Sequence, residues 1–222
     1  MTRAAWQDAS QHPSIRRFWR LSKAIARPKF ASMRTAEKPC PWEDEMLELK
    51  DLDDQSRPFM VAEVDADVAK GAIYLSPRLT ASGLREFPKL LRQACDQFDA
   101  TWLASRLLQG RYISETEAYF RSGRRHTRKV NITQAAEMLA EGEFNRFYAR
   151  GLCLRAMDAG VAEVVVYRAK AVSHARPESK QLIGSKIAAE SLLADLREHV
   201  GRDTDHGMPG GPNSGLSVCL ER

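Results

Sequence analysis

Cysteine is scarce and scattered in this chain: Cys40, Cys95, Cys153 and Cys219 form no CxxC pair. That spacing argues against a disulfide scaffold and against a zinc ribbon. No secretory leader with an apolar core is recognisable, so a reducing cytoplasm is the expected compartment. Long apolar runs are also lacking. The longest, near Val164 to Val166, is far too short to span a bilayer. The five histidines, His12, His126, His174, His199 and His206, stand apart from the cysteines and from one another, with no HxE or HExxH spacing. The Walker order is absent around Gly184-Ser185-Lys186, where Ser185 is expected to cap a helix instead. Neither a metal nor a cofactor is expected from these patterns, and no stretch carries a specific catalytic signature.

What is present is a body large enough to bury one core, since 43% of the 222 residues are hydrophobic. The net charge of +5 is modest, but its distribution is uneven. Met1 to Arg34 holds eight Lys or Arg against the single acid Asp8, whereas Glu37 to Lys70 holds eleven acids against four bases. Opposite blocks this close can pair within the chain or between copies of it, or the basic block can seek an external polyanion. Ile15, Phe18, Trp19, Ser22, Ile25 and Ala26 recur at helical spacing, with Arg16, Arg17 and Arg20 among the intervening residues, so the arm reads as a basic amphipathic helix stopped by Pro28. Residues 1–38 are accordingly expected to form an N-terminal arm and residues 39–222 one mixed domain.

Within that domain, Met60, Ala62, Val64, Ala66 and Val68 alternate with Val61, Glu63, Asp65 and Asp67, a period-2 pattern that predicts a half-buried strand over 59–68. Glu63, Asp65 and Asp67 would then share one face, where they could hold a hard cation or simply face solvent. A short strand over 72–75 is expected next. Phe87, Leu90, Leu91 and Ala94 predict a helix continuing through Trp102, Leu103 and Leu107 to Gly110. The polar segment 111–129 reads as an exposed loop or hairpin, strongly basic at Arg124, Arg125, Arg128 and Lys129. Asn131, three residues before Gln134, is placed to cap a helix with Ile132, Ala135, Ala136 and Leu139 inward, which Gly142 could break. A further helical stretch through Phe147, Tyr148 and Leu152 stops at Gly160. The run 161–169 is the clearest strand, followed by a helix over 188–200, a Gly- and Pro-rich loop and a terminal strand with Leu216, Val218 and Leu220 on one face. The expected fold is α+β or a two-layer α/β arrangement.

Two functional readings follow. Glu143, three residues before Arg146, could pair with it on a solvated face, whereas Arg146 and Arg150, four apart on a helix, can straddle a phosphate or grip a carboxylate. With Arg124, Arg125, Arg128, Lys129, Arg168 and Lys170 they could form one basic surface. That favours a non-enzymatic assembly or binding subunit contacting partner chains, a second copy of itself, DNA or RNA. The alternative is a metal-dependent nuclease using Glu63, Asp65 and Asp67. A PD-(D/E)xK arrangement is not available on the best strand, because Glu163 and Lys170 stand seven residues apart rather than two. The stretch EGEFNRFYARGLCLRA, followed by VVVYRAK, ARPESKQLIG and GPNSGLSV, resembles a family of uncharacterised bacterial and prophage proteins over about residues 75–220. The resemblance carries no reaction. It implies a phage or mobile-element setting, with a cytoplasmic or virion-associated location.

Overall fold

A 27-residue helix, α4 (Ile132–Asp158), runs through the middle of the fold, and four of the five other described helices and the larger sheet pack against it. The computed structural model describes residues 47–172, 177–202, 204–208 and 215–221, all within the unit Pro41–Arg222. The arm helix expected around Ile15 to Ala26, with Arg16, Arg17 and Arg20, lies outside the described residues, as does most of the Gly- and Pro-rich loop. The fold is a single α+β domain.

Among the described residues, three helices precede the first strand: α1 (Arg57–Lys70), α2 (Ala81–Gln97) and α3 (Ala100–Gln109). The first corrects the expected strand over 59–68. Its buried residues, Met60, Val61, Glu63, Val64 and Asp67, follow the helical repeat, and Val68 faces solvent. The same run satisfies both periods because alanines separate its larger side chains, and Pro58 in the first turn with Gly71 in left-handed geometry at the end (φ 65°) favour the helix. The stretch 72–75 likewise forms no strand. Between α2 and α3 the expected continuous helix is broken at Phe98 and Asp99, where the extended Asp99 caps α3 by accepting from the Trp102 amide at 2.8 Å.

A hairpin of β1 (Thr116–Arg121) and β2 (Arg124–Lys129) follows, then α4, capped as expected by Asn131 Oδ1 accepting from the Gln134 amide at 3.1 Å. Gly142 neither breaks nor ends α4. Every residue from Glu143 to Cys153 is buried, as befits a helix surrounded by protein on all sides. The C-terminal part holds β3 (Glu163–Arg168), α5 (Pro177–Leu182), β4 (Lys186–Ala188), α6 (Ala189–Glu198) and β5 (Leu216–Leu220). β3 is central in a three-stranded antiparallel sheet, with Val165 paired to both Lys186 and Cys219. Ser185 caps no helix. Its hydroxyl donates to the Leu182 carbonyl at 2.6 Å, and β4 intervenes before α6. Buried Asn145 joins α4 to β5, donating to the Leu216 carbonyl at 2.8 Å while accepting from Ser217 at 2.6 Å. No described helix is long and apolar enough to cross a membrane.

α1 approaches α4 closely at Gly151, where an added Cβ would lie 2.6 Å from Met60 Cγ and 2.8 Å from the Met60 backbone nitrogen. Backbone cannot move aside as a side-chain end can. Gly151→Ala is therefore expected to destabilise the fold by about 1–3 kcal/mol, measured by urea unfolding. An unchanged midpoint would contradict this packing.

Candidate nucleic-acid interface

The hairpin turns at Ser122 and Gly123, both left-handed at φ 51° and 73°, the geometry of the two-residue turn whose twist matches paired strands. Ten of its twelve strand residues are exposed, so the ribbon projects from the body. Directly opposed residues share a face. One face carries Glu117 with Arg128, Tyr119 with His126, and Arg121 with Arg124. Glu117 binds this face to the body, pairing with Arg78 at 2.7 Å and with Arg128 at 2.5 Å. The two guanidiniums hold its carboxyl below the ordinary range. Tyr119 stacks on His126, and the Arg128 guanidinium lies 5.5 Å from the Tyr119 ring.

The other face pairs Thr116 with Lys129, Ala118 with Thr127, and Phe120 with Arg125. Phe120 is 76% exposed, the highest value among the exposed large hydrophobic residues described. The hairpin thus carries Arg121, Arg124, Arg125, Arg128 and Lys129 against the single acid Glu117. Among the described residues, only Arg128 of these five cations is in an ion pair. In the acidic segment, Asp53 pairs with Arg155 at 2.8 Å, and Asp51 Oδ2 accepts from the Leu220 amide at 2.9 Å.

The single basic surface expected from sequence does not form. Arg150 is 1% exposed and lies in the core. It donates through Nε to Glu63 at 2.8 Å and grips Asp67 with both terminal nitrogens at 2.6 and 2.9 Å. Arg197 of α6 closes on Glu63 from the other side. Burial works against the charge on Glu63, but Arg197 and Arg150 outweigh it and leave the carboxyl below the ordinary range. Arg146 is also buried, and donates to the Leu196 and His199 carbonyls at the end of α6. Arg168 ends β3 half-buried, and Lys170 pairs with Glu141 at 2.7 Å. Glu63, Asp65 and Asp67 do not share a face either. The helix turns Glu63 and Asp67 inward to Arg150, while Asp65 points outward to Arg92 at 2.8 Å. Glu63 and Asp67 stand four apart, as do Arg146 and Arg150, a spacing that puts each pair on one helix face without saying whether that face is buried.

Two further polar clusters are present, and Glu143 belongs to one of them in the core, not to a solvated face. Asp195, His199, Asp205 and His206 converge at the end of α6. Glu143 is buried beside Arg146 and Arg150, and its Oε2 has no hydrogen-bond partner among the described residues.

With this geometry in hand, comparison with known proteins adds no assignment: no family model, no curated protein and no solved structure matches the chain.

Burial pushes the Glu143 carboxyl up to about 7, against the pull of Arg146 and Arg150. A raised folded-state value means that this group favours folding while protonated, and that its contribution disappears as the pH rises through about 7. Glu143→Gln mimics the protonated form. Between pH 5 and 8 the wild type is expected to lose, relative to this variant, on the order of 2 kcal/mol. Chemical denaturation at both pH values checks it, and parallel profiles for the two proteins would contradict the assignment.

Proposed function

We propose that this protein is a non-enzymatic binding or assembly subunit that contacts duplex nucleic acid through the β1–β2 ribbon. The observation carrying the proposal is the exposure of four cations, Arg121, Arg124, Arg125 and Lys129, that no described carboxylate engages. A two-stranded ribbon fits the major groove of B-form DNA, which is about 12 Å wide. Six-residue strands extend roughly 20 Å, long enough to lie along the groove while cations at several levels meet phosphates. Phe120, Ala118 and Thr127 give one face apolar groups of the kind that touch thymine methyls. Arg16, Arg17 and Arg20 would add phosphate contacts by their charge, and the resemblance to prophage proteins supports a mobile-element setting.

Removal of Arg146 and Arg150 from the surface narrows the reading to the hairpin. The nuclease alternative lacks the carboxylate cluster on which it rested, since Glu63 and Asp67 are engaged by Arg150 and Arg197. Pairing of the hairpin with the acidic segment is not supported by the described part of that segment, whose Asp53 is held by Arg155.

Binding through phosphates must weaken steeply with salt, because each neutralised phosphate releases condensed counterion at a logarithmic slope of about −0.9 per contact. Replacing Arg124 and Arg125 together by Ala is expected to weaken duplex binding for unrelated sequences alike, and to make the slope shallower by up to roughly two units. Fluorescence anisotropy across a salt series measures both quantities. No binding by the wild type at low salt would sink the proposal, and so would a double variant with unchanged affinity and slope.

A further inference from the structure

The cluster at the end of α6 lies outside the hairpin and is independent of the reading above. Asp195 is 8% exposed and has both carboxylate oxygens engaged. Oδ1 lies 2.7 Å from His199 Nδ1 and accepts from the Asp205 amide at 3.1 Å. Oδ2 accepts from the His206 amide at 2.9 Å and lies 2.6 Å from His206 Nδ1. On the far edge of the His199 ring, Nε2 is 4.0 Å from Asp205 Oδ1. Asp195, His199 and Asp205 each place one ligand atom within 4.8 Å of the others.

We propose that Asp195, His199 and Asp205 form a binding site for a first-row divalent transition ion of the Zn²⁺ type. The donor set argues for the ion class: imidazole suits Zn²⁺ and its neighbours, whereas Mg²⁺ and Ca²⁺ favour oxygen alone. Three protein ligands also match the count of sites that keep a position for solvent or another ligand. The last turn of α6 supplies Asp195, the C-cap position just beyond it supplies His199 at i+4, and residues 204–208 bring Asp205 to them. Two supports fix the arrangement in advance. Arg146 holds the Leu196 and His199 carbonyls from the core, which sets the end of α6. His206 takes the second oxygen of Asp195 through both its amide and its ring, the outer-shell contact that orients a ligating carboxylate. Binding would tie the 204–208 segment to α6.

The test is titration of the untagged full chain with Zn²⁺ alone, followed by calorimetry and by the melting temperature. The expected result is saturable one-to-one binding with a rise in melting temperature. Asp205→Asn and His199→Ala should each weaken binding by about 100-fold, and His206→Ala by about 10-fold, at the lower end of what loss of an outer-shell partner costs. Asp205 has an 86% exposed side chain, so its variant keeps the fold and isolates ligation from folding. Mg²⁺ should give no comparable binding. Absence of stoichiometric Zn²⁺ binding would overturn the proposal, as would binding that Asp205→Asn and His199→Ala leave unchanged.

Discussion

The fold turns on a guanidinium placed where water cannot reach it. Arg150 on α4 faces Glu63 and Asp67 on α1, and the cost of taking these charges out of water is offset by close pairing, with Nε, Nη1 and Nη2 each meeting a carboxylate oxygen. Asp67 is held bidentately, the geometry for which arginine rather than lysine is suited. The pair therefore dictates more than a contact. It needs α1 to be a helix, because in a strand two acids four residues apart share a face but stand about 13 Å apart, too far for one guanidinium to meet both. It also requires α1 to lie close to α4, which Gly151 beside Arg150 permits.

From that anchor the rest of the polar interior follows. Arg197 of α6 shares Glu63 with Arg150, and Arg146, one turn before Arg150, holds the last carbonyls of α6. Helices α1, α4 and α6 are thus joined by charge-assisted hydrogen bonds as well as by apolar packing. The end of α6, fixed in this way, presents the Asp195 and His199 pair. These arginines are committed inside, whereas the hairpin keeps four exposed cations, Arg121, Arg124, Arg125 and Lys129, that no described carboxylate engages. Its single acid is used to fasten one face to Arg78.

Much of this was legible in the sequence wherever one residue decides a local outcome. The Asn131 cap, the hairpin of basic residues, the β-branched strand ending at Arg168 and the terminal strand with Leu216, Val218 and Leu220 all stand close to where the pattern put them. The α1 helix departs from the strand reading because Val64 and the alternating alanines fit two periods; Pro58 and Gly71 favour the helix locally, and Arg150, almost ninety residues away in the chain, meets the acids that the helix turns inward. The inward direction of Arg146 and Arg150 was hidden for the same reason: an arginine is buried when partners arrive from elsewhere, and spacing alone does not announce them. Strand β4, three residues long, has too few positions for a periodic signal. The i, i+4 relation of Asp195 and His199 was visible, but only the return of Asp205 and His206 gives it a chemical meaning.

The central functional claim is that the ribbon, and not the body, meets the nucleic acid. Hydrogen exchange of backbone amides with and without a short DNA duplex at low salt tests it most directly. The account predicts slowed exchange confined mainly to Thr116–Lys129, with α4 and the three-stranded sheet unchanged. Duplex binding that left the hairpin amides unprotected, or that protected a different surface, would contradict it.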